Sequence, residues 1–264
     1  MNMYATDDLV YPYSDGKPMA ENLEQAIAIR YLIAGLKDRF FDQPDVLVEG
    51  NFFWYPVEGE PTIAVAPDVA VIEGIDVDTF TSYRPWRFGG RLTLAVEVWS
   101  PSNTPKEMRN KHAFYDRYGV HEYWEFNPAS GRLRVWERRG ASLIEIVALD
   151  NWHSTVCDAR PAVEHRQLVV YGADGRRWPT DRERIQRARD TETALDHEAA
   201  ARMQAETARD HEAAARIQAE TARDHEAAAR TQAETAREHE AAARAQADER
   251  VRELSAELAR LRDQ

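Results

Sequence analysis

Apolar positions recur at helical spacing over residues 20–40, where Leu23, Ile27, Tyr31 and Ala34 fall on one face and no proline intervenes. This pattern predicts a helix. Short apolar runs then predict strands at 46–48, 51–55 and 69–72. Residues 91–99 alternate more strictly, with Leu92, Leu94, Val96 and Val98 on one face and Glu97 and Trp99 on the other. The next helix is the best marked. Thr104 stands as N-cap, Pro105 at the first helical position and Glu107 as the capping-box acid, and Gly119 follows Tyr118 as a stop. Further strands are expected at 122–126, 133–137 and 143–148, the first two joined by a hairpin through Asn127-Pro128 and Ser130-Gly131. A helix, three or four strands, a second helix and more strands fit an α+β or α/β domain built on one central sheet.

After Trp178-Pro179 the pattern changes. From Asp181 onward the chain has no Gly, Pro or aromatic residue, and a unit repeats: DHEAAARMQAETAR from Asp196, with close copies from Asp210, Asp224 and Glu238. A period of two heptads, with Glu four residues before Arg in every EAAAR, predicts one long helix. It would span on the order of 125 Å if continuous. Val251, Leu254, Leu258 and Leu261 follow zipper spacing, but the same register upstream places Arg223, Arg230, Arg237 and Arg244 in the seam. A register on Ala201, Ala208, Ala215 and Ala222 is broken by Glu212 and Glu226. The tail therefore reads as a semi-rigid spacer ending in a short oligomerising zipper. His197, His211, His225 and His239 recur about 21 Å apart along such a helix, too far for two of them to share a metal. Two domains are expected, at 1–178 and 181–264.

Composition narrows the classes. At 43% apolar and 30% charged, the chain of 264 residues can bury a core. Its net charge of −12, from 46 acids and 34 bases, excludes a general polyanion-binding surface and leaves room only for a local patch. One cysteine, Cys157, excludes an internal disulfide and a multi-thiolate zinc site, and reads as a small buried hydrophobe or surface thiol. With no signal-like start and no run of transmembrane length, a soluble, cytoplasmic protein free of the membrane is expected.

Two acids carry the candidate chemistry. Asp68 opens an apolar strand, and Glu97 lies inside another between Leu94, Ala95, Val96, Val98 and Trp99. Burying an unpaired carboxylate is costly, and a hard cation such as Mg²⁺ or Mn²⁺, held by both acids and a backbone carbonyl such as that of Val98, would remove the cost. Taken singly, a turn cap at Asp68 and an ion pair of Glu97 with an arginine such as Arg91 are the simpler explanations. Lys111, with Tyr115 and Tyr118 on its helical face, is the third candidate, able to orient water or stabilise a phosphate in its transition state. Between Arg84 and Arg117 seven basic residues face three acids. In so acidic a chain that excess points to phosphate. Competing chemistries lack their motifs: there is no G-x-S-x-G around Ser100 and Ser102, no Walker loop, no G-x-G-x-x-G and no H-E-x-x-H. His112, His121, His153 and His165 show no ligand spacing.

The ordered set Tyr11–Met19, Trp54–Gly59, Ala66-Pro67-Asp68-Val69-Ala70-Val71, Ala95-Val96-Glu97-Val98-Trp99-Ser100-Pro101-Ser102-Asn103-Thr104, Lys111 with Tyr115, and Tyr118-Gly119-Val120-His121-Glu122-Tyr123-Trp124 resembles the Uma2 family of restriction-endonuclease-like proteins, over roughly residues 10–178. The resemblance implies a PD-(D/E)xK nuclease-like fold, a mixed central sheet flanked by helices, here followed by a long C-terminal helix or coiled coil. It implies Asp68 and Glu97 as metal-binding acids. The usual lysine, two residues after the glutamate, is replaced by Trp99, and Lys111 on the following helix matches the place from which family members supply it. Glu21, or Glu24, would add a metal ligand from the first helix. The activity implied is Mg²⁺- or Mn²⁺-dependent hydrolysis of DNA by a homo-oligomer joined through the tail. Two other readings stay open: a catalytically silent interaction module on a helical spacer, and cleavage of RNA or a branched structure.

Overall fold

The computed structural model describes residues 11–12, 21–75, 77 and 79–262, with side chains in the final helix described up to 256. Residues 13–19, part of the family resemblance, and the first residue of the expected helix at 20 lie outside these, as do the side chains of Leu258 and Leu261. Helix α1 (Leu23–Arg39) starts on Asn22, whose side chain accepts the Gln25 N–H at 2.8 Å. Its rotation differs from the expectation. Tyr31 is buried, but Leu23 and Ile27 stay 69% and 51% exposed, and the buried stripe runs through Gln25, Ile29, Leu32 and Leu36. The helix is apolar on two adjoining stripes, so spacing alone does not choose between them.

Strand β1 (Val46–Glu49) pairs antiparallel with β2 (Val69–Ile75). The strand expected at 51–55 does not form. Trp54 makes only single bridges to Val65 and Tyr83, because Asn51 has φ +57° and Pro56 closes the run. After a one-turn helix α2 (Pro85–Phe88), β3 (Gly89–Val98) pairs antiparallel with β2. Leu94 lies opposite Val71 and Leu92 opposite Ile72, so Thr93 is an extra residue in β3. This bulge corrects the expected alternation: Leu94, Val96 and Val98 face α1, while Leu92 turns to the opposite layer with Ala95. Helix α3 (Pro105–Arg117) has the Thr104 half of the expected box, the hydroxyl accepting the Glu107 N–H at 3.2 Å without the return bond to the Glu107 carboxylate, and Gly119 stands at φ +82° beyond its end. It is the crossover to β4 (Glu122–Asn127), which lies parallel to β3. The hairpin partner β5 (Arg132–Arg139) and the edge strand β6 (Ser142–Glu145) complete a six-stranded mixed sheet, ordered β1 to β6 and antiparallel everywhere but at β3–β4.

The sheet is covered on both faces, so β3 and β4 are buried throughout most of their length. On one face α1 packs over Val69, Val96 and Trp124, joined by a hairpin the sequence reading did not foresee, β7 (Ala159–Glu164) with β8 (Gln167–Gly172). On the other, Tyr115 of α3 packs with Phe52, Trp54, Tyr123 and Trp136. Cys157 is buried as a small hydrophobe, and burial first of all pushes its thiol up to about 12.

Helix α4 (Asp181–Arg262) is one continuous element of 82 residues. Thr180 starts it with a complete capping box: its hydroxyl accepts the Glu183 N–H at 3.3 Å, and its own N–H donates to Glu183 at 2.7 Å. Glu198–Arg202, Glu212–Arg216, Glu226–Arg230 and Glu240–Arg244 pair at 2.6–2.8 Å, as the repeat predicts. The chain divides into two compact units, residues 1–187 and 188–264. No helix among the described residues is long and apolar enough to cross a membrane.

Gly50 sits against the start of β2, where a Cβ would lie 1.9 Å from the Asp68 carbonyl oxygen. Gly50→Ala must therefore displace the backbone that carries Asp68. The expected cost is about 1–3 kcal/mol, read as a lower urea midpoint at unchanged m-value; an unchanged midpoint would contradict the contact.

Candidate active site

The bulged pairing of β2 and β3 sets Val69 opposite Val96, which brings Asp68 beside the end of β3. There the Val98 N–H donates to Asp68 Oδ2 at 2.8 Å. Glu97 points to the α3 side and is only 1% exposed. Lys111 and Tyr115, one turn apart on α3, both reach it: Lys111 Nζ lies 2.7 Å from Oε2, and the Tyr115 hydroxyl donates to Oε1 at 2.6 Å. The structure thus brings Asp68, Glu97 and Lys111 together, and the partner of Glu97 is Lys111 rather than Arg91.

Electrostatics follow from that packing. Burial first, and then the neighbouring Glu97 carboxylate, push Asp68 up to about 8, against the pull of Lys111 and the Val98 N–H. Burial works to discharge Lys111, but Glu97 and Asp68 outweigh it and hold its pKa above the ordinary lysine value. The Tyr115 phenol, buried and beside Glu97, is held well above its usual range and stays a donor. One ammonium is thus left facing two carboxylates, a deficit of positive charge that the Asp68 proton makes up.

Helix α1 is stitched to the same strand end. The Gln25 side-chain amide donates to the Val98 carbonyl at 3.0 Å, and its Oε1 accepts the Glu21 N–H at 2.9 Å. Glu21 in turn accepts from the Ser102 N–H at 3.2 Å and from the Ser102 hydroxyl. Gln25 was missed by sequence reasoning, although a glutamine on an apolar helical stripe is a signal. Glu24 is directed elsewhere, to a cleft of about 550 Å³ lined by Ile27, Gln167 and Arg177. Glu125 was also missed. It is the register partner of Glu97 on β4, buried, with the Tyr123 hydroxyl 3.3 Å away.

A second acidic group, His121, Glu122 and Glu137, assembles across the β4–β5 pair even though the histidine spacing suggested no ligand set. Glu122 is already committed. Its oxygens accept from the Ser154 hydroxyl (2.6 Å) and the N–H groups of Thr155 (2.8 Å) and Val156 (3.2 Å). It ties the 154–156 segment to the sheet.

The family model Uma2, described as "Putative restriction endonuclease", matches residues 3–171. No curated protein matches the chain. Among solved structures, a protein from Anabaena variabilis described as "a putative nuclease belonging to DUF820" is similar at 11% identity with a TM-score of 0.40, over 54% of this chain and 79% of its own. The chain belongs to the Uma2 family.

Without a divalent cation, native Asp68 keeps its proton until about pH 8, whereas an unfolded aspartate releases it near its ordinary value of 3.8. Between those values the native state binds more protons than the unfolded one, so the Asp68 contribution to stability falls as pH rises. Asp68→Asn is expected to stabilise the protein relative to wild type by more at pH 8 than at pH 5. Urea denaturation in EDTA measures this, and an equal difference at both values would overturn it.

Proposed function

We propose that this Uma2 protein is a cytoplasmic, Mg²⁺- or Mn²⁺-dependent endodeoxyribonuclease whose working residues are Asp68, Glu97 and Lys111. The observation that carries the reading is the 2.7 Å contact between Lys111 and Glu97, a lysine supplied from the helix to a strand carboxylate that is otherwise buried. Asp68 and Glu97 offer only oxygen, which suits a hard cation, and their shortage of positive charge is what such an ion relieves. Asp68, Glu97 and the Val98 carbonyl would hold it, with Glu21 reaching the same strand end from α1. When bound, the ion polarises the phosphate and lowers the pKa of a coordinated water.

The protein's own residues supply the rest. Asp68, its proton passed to solvent, would be one of the ion's ligands. Lys111, kept charged by its two acids, donates to the attacking water or to the phosphoryl oxygen on which charge develops. Tyr115 holds one oxygen of Glu97, and Gln25 anchors the Val98 carbonyl; both are positioning residues. Lys106 and Arg109 on α3 have no ion pair among the described residues and attract the phosphate backbone.

Incubation with supercoiled and single-stranded DNA plus Mg²⁺ or Mn²⁺ tests the site. Asp68→Ala, Glu97→Ala and Lys111→Ala are each expected to slow cleavage by about a hundredfold or more; unaltered cleavage by Asp68→Ala would sink the assignment. The long, exposed α4 also favours assembly: the zipper from Val251 to Leu261 joins copies of the chain, two sites then serving two strands. Deleting 246–264 is expected to lower the molar mass seen by light scattering. A stable oligomer lost on that deletion, in a protein that binds no divalent cation, would favour the interaction module instead.

A further inference from the structure

On the α3 face, next to Glu97, the structure carries a cleft of about 520 Å³ that the catalytic set does not use. It is lined by Glu125 and Asn127 of β4, Arg109 and His112 of α3, Arg132 of β5 and Trp99. Trp99 follows Glu97 by two residues and so shares its strand face.

Two features of the lining point to one ligand chemistry. Arg109 and Arg132, on α3 and β5, are exposed and have no ion pair among the described residues. Arg134 next to them shows the contrast: it is locked by two 2.8 Å bonds to Glu145 and stacked 4.4 Å over Trp136. The Trp99 indole is partly exposed, and its Nε1 has no hydrogen-bond partner. Free guanidinium groups bind phosphate, and a partly exposed indole face stacks on a base.

We propose that this cleft is a subsite for one unpaired nucleotide of a single strand, with the base against Trp99 and the flanking phosphates held between Arg109 and Arg132. Its volume falls in the range of roughly 300–1,000 Å³ typical of small-ligand sites, which is large enough for a nucleotide. The proposal rests on the nuclease reading for the identity of the neighbouring acids and extends it: the strand presented to Asp68 and Glu97 is unpaired beside the scissile phosphate.

The test is binding by the full-length protein in EDTA, where no cleavage occurs, using anisotropy of a fluorescein-labelled twelve-nucleotide oligo(dT) and of a duplex of equal length. The single strand is expected to bind more tightly than the duplex. Trp99→Ala should weaken it about tenfold or more and Trp99→Phe much less. Arg109→Ala and Arg132→Ala, both at exposed positions, should each weaken binding and lower the slope of log K against log salt by about 0.7. Unchanged oligo(dT) affinity in Trp99→Ala and in both arginine variants would overturn the subsite, as would tighter binding of the duplex. The two readings separate cleanly. Wild-type cleavage with Trp99-independent binding removes the subsite and leaves the nuclease, while Trp99-dependent binding without cleavage leaves the subsite and removes the nuclease.

Discussion

A carboxylate at the centre of a sheet is tolerable only if its partners are built with it, and Glu97 is that carboxylate. Removing one partner of a buried ion pair costs about 3–5 kcal/mol, because the other charge stays behind. Both partners of Glu97 come from α3, so the crossover between β3 and β4 must sit at one height and one rotation on the sheet. The features that set its start and stop, the Thr104 cap and Gly119, are therefore as much part of the site as the charged groups. Without the fixed first turn, Lys111 and Tyr115 would not fall on the two oxygens of one carboxylate.

The strand end gains its rigidity from the other face. Val98 is held through both backbone groups, its N–H by Asp68 and its carbonyl by Gln25. Gln25 also receives the Glu21 N–H, and Glu21 receives Ser102 just past the strand. A chain of hydrogen bonds thus runs from β2 through the last residue of β3 into α1 and back to the turn after β3. Each link satisfies a backbone or side-chain group that burial would otherwise leave unpaired, and together they hold the two acids in place at the strand end.

Much of this was legible in the residues. The α3 boundaries, the central strands and the long final helix follow from caps, alternation and composition, whereas Asp68, Glu97 and Lys111 stand out as a set only through the family resemblance, since each residue alone reads as a turn cap, an ion pair or a solvated lysine. The remainder depends on information that local patterns do not carry. The extra Thr93 shifts Leu92 to the other layer, and nothing in an alternating run announces a bulge. Helix α1 offers two apolar stripes, and only the sheet chooses the one with Gln25. The β7–β8 hairpin turns on His165 and Arg166, both at positive φ (49° and 66°), without the glycine or asparagine that usually signals such a turn. Glu125 becomes a neighbour of Glu97 only through the parallel register of two strands separated by a helix.

The replacement at position 99 then has a physical reading. A lysine two residues beyond Glu97 would lie on the same strand face and would need a place among Glu125, His112 and the hairpin. Supplying the ammonium from α3 instead satisfies Glu97 from above and leaves position 99 without an electrostatic duty. A large aromatic can occupy it at no cost to the acids, and the indole there borders a cleft whose two free arginines come from α3 and β5. Moving one cation by one element therefore changes the surface beside the acids from a charged strand edge into a partly aromatic wall. Position 99 is the point at which the electrostatic need of the site, one cation on Glu97, is separated from the shape of what lies against it.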